Sequence, residues 1–279
     1  MFVNAKNYMK RYAFANKAWK WWKGFLIDFN NFKTNSTITM IRIKDRIQNG
    51  LPLPPPDLMT LVAGSTDLRW FLDSGRLGAT SLIAILKKNN LCMEDFHSIL
   101  DFGCGVGRVL RYWKKIQGPE FNGADYNSIL VNWCKENLPF VNFTTNPLCG
   151  SLDYEDGKFD FIYVLSVFTH LREPEQLFWM DELTRVLKPG GYLFITVHGE
   201  KFYLPQLQPE EQMHFRNGEL VVRNGDQEGT NTCAAFHPEK YVRERMAKHM
   251  IVVDYIPEGA LGNPKQDVFL LRKPLTGKA

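Results

Sequence analysis

Three glycines at every second position, Gly103, Gly105 and Gly107, separate the apolar run Ile99-Leu100-Asp101-Phe102 from a segment that opens on Arg108. Glycine adopts positive φ without steric cost and lets a ligand approach the backbone closely. Free amides at the start of a helix favour an anionic group. Packing alone does not ask for three alternating glycines behind an acid, so the segment reads as a ligand-binding turn. Its spacing is Gly-x-Gly-x-Gly, not the Gly-x-Gly-x-x-Gly of the dinucleotide fingerprint. Twenty-two residues past Gly103 stands Asp125, in Gly-Ala-Asp-Tyr-Asn127. At the carboxyl end of a neighbouring strand it could accept bonds from both hydroxyls of a ribose, and Tyr126 beside it could stack on a base. An Asp in front of a helix is also a favourable cap, so both readings stand at this point. Three histidines, His170, His198 and His237, follow strand-like runs or precede the last helix. A neutral imidazole near physiological pH can act as a general base, although each ring could equally bond a loop backbone. A metal site built from the three with Cys233 is not expected, because no pair has a short ligand spacing.

These residues need elements to place them. His97–Phe102, Glu120–Asp125, Val141–Thr145, Phe159–Leu165 and Tyr192–Val197 read as short strands. Gly107–Ile116, Ser128–Asn137 and Glu175–Leu187 read as helices between them. Residues 57 to 91 read as short helices separated by Gly64, Gly75 and Gly78. A last helix over Pro238–Lys248 and two strands, Ile251–Ile256 and Asp267–Arg272, close the pattern. Strands alternating with helices of this length imply right-handed βαβ units and a mostly parallel sheet covered on both faces, an α/β architecture. The stretch 199–237 breaks the rhythm. It carries Pro205, Pro209 and a hairpin-like run at 220–225, and reads as an inserted cover over one end of the sheet.

At this point the chain resembles the class I S-adenosylmethionine-dependent methyltransferases. Ile99–Arg108 is similar to their first motif, and Asp125 falls at their acidic ribose-binding position. Gly157-Lys-Phe-Asp-Phe-Ile-Tyr-Val-Leu165 looks like their fourth-strand motif, and Leu187-Lys-Pro-Gly-Gly-Tyr-Leu193 like the turn into their fifth strand. The resemblance spans residues 91 to 272. It implies a Rossmann-like doubly wound, seven-stranded sheet, S-adenosylmethionine as cofactor, and a cofactor site of Asp101, Phe102, Gly103, Cys104, Gly105, Gly107, Arg108, Asp125, Tyr126, Asn146, Leu148 and Ser166. Within it Asp101 is expected to meet the cofactor ammonium and the turn amides its carboxylate, with Arg76 as a further candidate. Many relatives carry an Asp after the third strand for the adenine amine. Here Asn146 stands there, and its carbonyl oxygen can take that role. The acceptor is expected to be a hydroxyl of a small molecule, sugar or lipid-linked glycan, with His170 and His198 as catalytic candidates. DNA is not an expected partner, because Leu165-Ser-Val-Phe168 replaces the Asn/Asp-Pro-Pro-Tyr of base N-methylating enzymes. The alternatives are an NAD-dependent oxidoreductase and a non-catalytic, membrane-associated protein that binds the same cofactor.

Length and composition bound the rest. The chain has 279 residues, 44% hydrophobic and 23% charged, which fits a globular protein with a sizeable core. No apolar run reaches bilayer length, and no secretory leader is expected. Five cysteines without a CxxC pair argue against a disulfide framework and for a reducing cytoplasm. The net charge of +4 conceals an asymmetry: residues 1–46 hold ten Lys/Arg against two Asp/Glu. Tyr8, Tyr12, Ala15, Trp19, Trp22, Leu26 and Phe29 recur at helical spacing opposite lysines, so this arm is a candidate for peripheral membrane contact or for docking on the chain's own core. The domain expectation is a basic helical arm over 1–50, a Pro-rich linker and helical lead-in over 51–90, and the catalytic domain over 91–279 with its insertion at 199–237. The oligomeric state is not readable from the sequence.

Overall fold

The computed structural model describes residues 50–262 and 265–275. The basic arm and its aromatic stripe lie outside the described residues. The chain divides after Leu53 into two units, and the second of them, from Pro54 onward, holds the sheet and its helices. Among the described residues no helix is long and apolar enough to cross a membrane.

Five strands, β1 (Ser98–Phe102), β2 (Glu120–Asp125), β3 (Val141–Thr145), β4 (Phe159–Val164) and β5 (Leu187–Val197), pair in parallel. Two short strands, β6 (Val221–Arg223) and β7 (Ala234–Phe236), form a separate antiparallel ribbon. The last pair, β8 (Ile251–Ala260) and β9 (Gln266–Arg272), extends the main sheet, with β9 antiparallel to both β5 and β8. The seven-stranded order is β3-β2-β1-β4-β5-β9-β8. From β1 the chain winds outward through β2 to β3, then returns to β4 and winds the other way. That reversal opens a crevice at the carboxyl ends of β1 and β4, where ligands bind in open α/β sheets. β1 is buried at every position, as a central strand covered on both faces must be.

Helices α1 (Pro56–Ala63) and α2 (Leu68–Lys88) precede the sheet, α3 (Ser128–Asn137) joins β2 to β3, and α4 (Glu173–Val186) joins β4 to β5. Trp179, Met180 and Leu183 of α4 pack on Leu100, Phe102, Ile162 and Val164 in the main core, and the Phe102 and Trp179 rings lie 4.6 Å apart. The expected breaks at Gly75 and Gly78 are corrected: both lie inside the continuous α2. A Cβ on Gly75 would meet the Arg108 carbonyl oxygen at 2.5 Å, so this glycine lets the helix approach the glycine turn rather than ending the helix. Gly64 does end α1, in the left-handed conformation.

The expected helix over 107–116 is also corrected. Gly107 takes φ +66°, outside the right-handed helical region, and only Leu110–Trp113 forms a regular 3-10 turn. Tertiary bonds fix this segment instead. The Tyr112 hydroxyl donates to the Leu72 carbonyl at 2.7 Å, and Trp113 Nε1 donates to the Tyr163 hydroxyl at 3.0 Å. The last helix is shorter than its sequence pattern: α7 (Glu239–Tyr241) passes directly into a π-helical turn, Val242–Met246.

Within 199–237, α5 (Glu200–Tyr203), α6 (Pro209–Arg216), β6 and β7 enclose a small core of Tyr203, Leu207, Phe215, Val221 and Phe236. The hairpin expected at 220–225 is not local, because β6 pairs with β7 across a long loop, Val221 opposite Phe236. That loop runs back over the sheet crevice. Gly229 N–H donates to the His170 carbonyl at 2.9 Å, the Tyr126 hydroxyl donates to the Gly229 carbonyl at 2.8 Å, and Arg172 pairs with Glu228.

Candidate active site

A cavity of about 700 Å³ lies over the β1–β4 crevice. It is lined by the glycine turn, the ends of β2, β3 and β4, helices α1 and α2, and the loop between β6 and β7. The backbone of the turn is left-handed at Gly103, Gly105 and Gly107. Side chains of the protein already fill the space where each Cβ would stand: Val167 at Gly103, Val62 at Gly105 and Leu138 at Gly107. The expectation that packing does not require all three glycines is therefore corrected. Gly103 and Gly105 still face the cavity on their other side, whereas Gly107 does not line it and serves the packing of the turn on Cys134 and Leu138.

The turn amides are already committed. Gly103 and Cys104 both donate to the Ala124 carbonyl, at 2.8 and 3.0 Å, and Gly107 donates to the Cys104 carbonyl at 2.9 Å. Gly105 N–H donates to Asp125 Oδ2 at 2.8 Å. With these bonds made and no α-helix following the turn, the amides of Gly103, Cys104, Gly105 and Gly107 are not free for an anion. Arg108 is the nearest substitute. It lines the cavity with its guanidinium 5.8 Å over the Trp70 ring, and no ion pair to it is found among the described residues. Burial lowers its pKa and the Asp101 charge opposes that shift. Arg76 is not brought to the site; it is exposed and pairs with Asp73 at 3.7 Å.

Asp101 and Asp125 both reach the cavity. Burial pushes the Asp101 carboxyl up to about 8, the Asp125 charge adds to this, and a bond from the Tyr163 hydroxyl and the Arg108 charge oppose it. Asp125 Oδ1 accepts from Asn127 N–H at 2.9 Å, so each of its oxygens holds one backbone amide and keeps a lone pair for a ligand. Burial raises its pKa as well, against those amide bonds. Asn146, buried beside Asp125, donates from Nδ2 to the Pro147 carbonyl at 2.7 Å and leaves Oδ1 without a partner. A buried, unpaired acceptor on a cavity wall calls for a ligand donor or a water. Phe102, Cys104, Tyr126 and Leu148 line the same cavity, and burial holds the Cys104 thiol protonated.

Ser166, just past β4, has φ +60°, a strained conformation for a residue with a side chain. Three bonds hold it there. Ser166 N–H donates to Thr196 Oγ1 at 2.8 Å, Thr196 donates to Gln266 Oε1 at 2.6 Å, and Gln266 Nε2 donates to Ser166 Oγ at 2.7 Å. His170 and His198 also line the cavity, with ring centroids 6.4 Å apart. His170 Nδ1 lies 2.7 Å from the Cys233 carbonyl and His198 Nδ1 3.1 Å from the Ala235 carbonyl. A carbonyl accepts only, so Nδ1 carries the proton in each neutral ring and Nε2 holds the lone pair. Burial lowers the pKa of both rings, and burial with the neighbouring His170 takes His198 down to about 3. His237 is not brought to the cavity; its Nε2 lies 3.1 Å from Gln176 Oε1 in the core.

Sequence reasoning missed Gln266, Tyr203 and Trp70, all on the cavity wall. They come from a β-hairpin, the insertion and α2, and no local spacing links them to the glycine turn. The Tyr203 hydroxyl is buried without a hydrogen-bond partner, and its ring lies 4.1 Å from that of His198.

Residues 100–195 match the family model described as a methyltransferase domain. Over these residues the chain carries a class I S-adenosylmethionine-dependent methyltransferase domain. An uncharacterized methyltransferase of Schizosaccharomyces pombe is 28% identical over 156 residues, covering 50% of this chain and 52% of that protein. The malonyl-[acyl-carrier protein] O-methyltransferase of Calditerrivibrio nitroreducens is 29% identical, over 44% of this chain and 46% of its own length. The chain thus spans about half the length of these curated relatives. A methyltransferase structure from Methanosarcina mazei superimposes with a TM-score of 0.51 at 22% identity, covering 68% of this chain and 98% of its own, and shows the shared fold. The dinucleotide oxidoreductase alternative is set aside by the family match. S-adenosylmethionine, the cofactor of this family, fits the residues present: the orphaned Asn146 oxygen suits an adenine amine, the open lone pairs of Asp125 suit ribose hydroxyls, and Asp101 and Arg108 suit an ammonium and a carboxylate.

Proposed function

We propose that this methyltransferase methylates a hydroxyl of a small molecule, with His170 as general base. When bound, S-adenosylmethionine supplies an already activated methyl group, so the task left to the chain is alignment and proton removal. Asp125 and Asn146 anchor the nucleoside, and Asp101 and Arg108 take the amino-acid end. The acceptor lies between α1, the end of β4 and the insertion, near His170, His198 and Tyr203.

One observation carries the reading. Both cavity histidines present Nδ1 to a backbone carbonyl, which leaves Nε2 as the proton acceptor, the tautomer a general base needs. His198, with its pKa near 3, is too weak a base to assist much, whereas His170 is perturbed less. The cavity volume falls in the range of small-molecule sites, about 300–1,000 Å³. The printed name of the Calditerrivibrio relative, an O-methyltransferase, supports oxygen as the atom methylated.

The test combines the full chain, S-adenosylmethionine and an extract of the source cells, with mass spectrometry for a metabolite one methylene heavier and fragmentation to locate it. An O-methyl product is expected. His170→Ala should slow its formation by about 10²–10⁴-fold with cofactor affinity unchanged. An N- or C-methyl product, or an undiminished His170→Ala rate, would overturn the proposal.

A further inference from the structure

We infer that the acceptor is a diol, saturated or aromatic, with one hydroxyl for His170 and a second, one or two carbons away, for His198. The inference rests on the reading of His170 as the base that takes a hydroxyl proton, and deepens it by giving the second histidine a partner.

The insertion builds the pair. Cys233 immediately precedes β7 and Ala235 is its central residue, so the two stand two residues apart on an extended chain, about 6.6 Å. Each carbonyl accepts from one imidazole, Cys233 from His170 Nδ1 at 2.7 Å and Ala235 from His198 Nδ1 at 3.1 Å. The two ring centroids lie 6.4 Å apart, close to that repeat, with their planes at 86°. One stretch of backbone thus holds two histidines side by side in the same tautomer. The rings reach it because they follow β4 and β5, which are neighbours in the sheet. His198 is also flanked by the Tyr203 ring at 4.1 Å and the Phe236 ring at 5.4 Å, which hold its plane.

What the rings leave open is a pair of acceptors. With Nδ1–H spent on a carbonyl, a neutral imidazole has only the lone pair of Nε2 to offer. Among the described residues the one enclosed imidazole nitrogen without a partner is Nδ1 of His237, so Nε2 of His170 and of His198 are open to the cavity that both rings line. Burial lowers the pKa of both rings, so neither Nε2 is a donor at neutral pH. A hydroxyl has one proton and satisfies one nitrogen. The proton of the reacting hydroxyl goes to His170 as its oxygen bonds the methyl carbon and the carbon–sulfur bond breaks with its electron pair onto sulfur. His198 therefore needs a donor of its own that the reaction does not consume. A hydrogen bond spans only about 2.7–3.2 Å, so with the rings 6.4 Å apart that donor must sit close to the first. An acceptor with a single hydroxyl leaves a largely buried acceptor unpaired, which should weaken its binding about five- to a hundredfold.

The test incubates the wild-type full chain with S-adenosylmethionine and an extract of the source cells, purifies the methylated product and places its methoxy group by NMR. A free hydroxyl one or two carbons from the methoxy is expected, and the carbon shifts tell an aromatic diol from a saturated one. The acceptor and its analogue lacking the second hydroxyl are then titrated by calorimetry into the chain saturated with S-adenosylhomocysteine. The diol should bind about five- to a hundredfold tighter, and His198→Phe should bring that ratio to within about twofold of one. A methoxy with no free hydroxyl within two carbons, or a ratio that His198→Phe leaves unchanged, would overturn the inference; the product alone decides it if His198→Phe does not fold. An N- or C-methyl product, no product, or an undiminished His170→Ala rate would instead defeat the reading beneath it.

Discussion

At the scale of single residues, the site depends on which polar atoms are already satisfied. The amides of Gly103, Cys104, Gly105 and Gly107 make their bonds inside the protein, to Ala124, Cys104 and Asp125, while among the described residues Asn146 Oδ1 has no partner and His170 and His198 bond through Nδ1 alone. Asp125 has two duties: it braces the turn through Gly105, and it offers its remaining lone pairs to a ribose. Asp125→Ala should therefore weaken S-adenosylmethionine by about a hundredfold or more, since each charge-assisted bond contributes about 1.5–3 kcal/mol. Asn146→Ala, which removes one neutral acceptor, should cost about tenfold or less. Calorimetry on both variants checks the order; a smaller loss for Asp125→Ala than for Asn146→Ala would remove Asp125 from the cofactor site.

At the scale of elements, α2 is the example of tertiary packing overriding local signals. Asp67 caps its start by accepting from Arg69 N–H at 2.9 Å and Trp70 N–H at 3.2 Å, and the helix then runs through Gly75 and Gly78 to Lys88. Alanine at an exposed helical glycine usually stabilises by about 1 kcal/mol. At Gly75 the sign reverses, because the new methyl would press on the Arg108 backbone. Gly75→Ala should destabilise by about 1–3 kcal/mol in chemical denaturation and displace the turn that carries Arg108, weakening cofactor binding as well. A neutral or stabilising effect would show that α2 does not set the turn.

At the scale of the whole molecule, burying Asp101 and Asp125 in one cavity makes the fold sensitive to pH. An unfolded Asp titrates near about 3.9, and the folded Asp101 near 8. Between those values the folded state holds the extra proton. The stability this group contributes is complete below the unfolded pKa and is lost as pH rises through the folded one. Asp125, raised in the same direction, adds to the trend. Without ligand the urea midpoint should fall from about pH 7 to pH 8, above the unfolded histidine pKa below which the buried His170, His198 and His237, with their lowered pKa values, pull the other way, and Asp101→Asn should flatten that fall. S-adenosylhomocysteine at a hundred times its Kd should add about 2.7 kcal/mol, or roughly 5–10 °C in Tm.

What the sequence determined was whatever a local pattern encodes. Buried, β-branched strands alternating with helices specify the parallel sheet, and the topology of such a sheet places Asp101, Asp125, Asn146, Ser166, His170 and His198 at one edge, because each follows or ends a strand whose carboxyl end faces that edge. What only the tertiary structure decided were the bonds between segments distant along the chain. The bonds of the Gly103, Cys104 and Gly105 amides, the packing of Gly107, the exclusion of His237, the continuous α2, and the approach of Gln266 and Tyr203 depend on partners tens of residues away. Periodicity reports which face of an element is apolar; it carries no record of which hydrogen bond a buried donor will find once the elements meet.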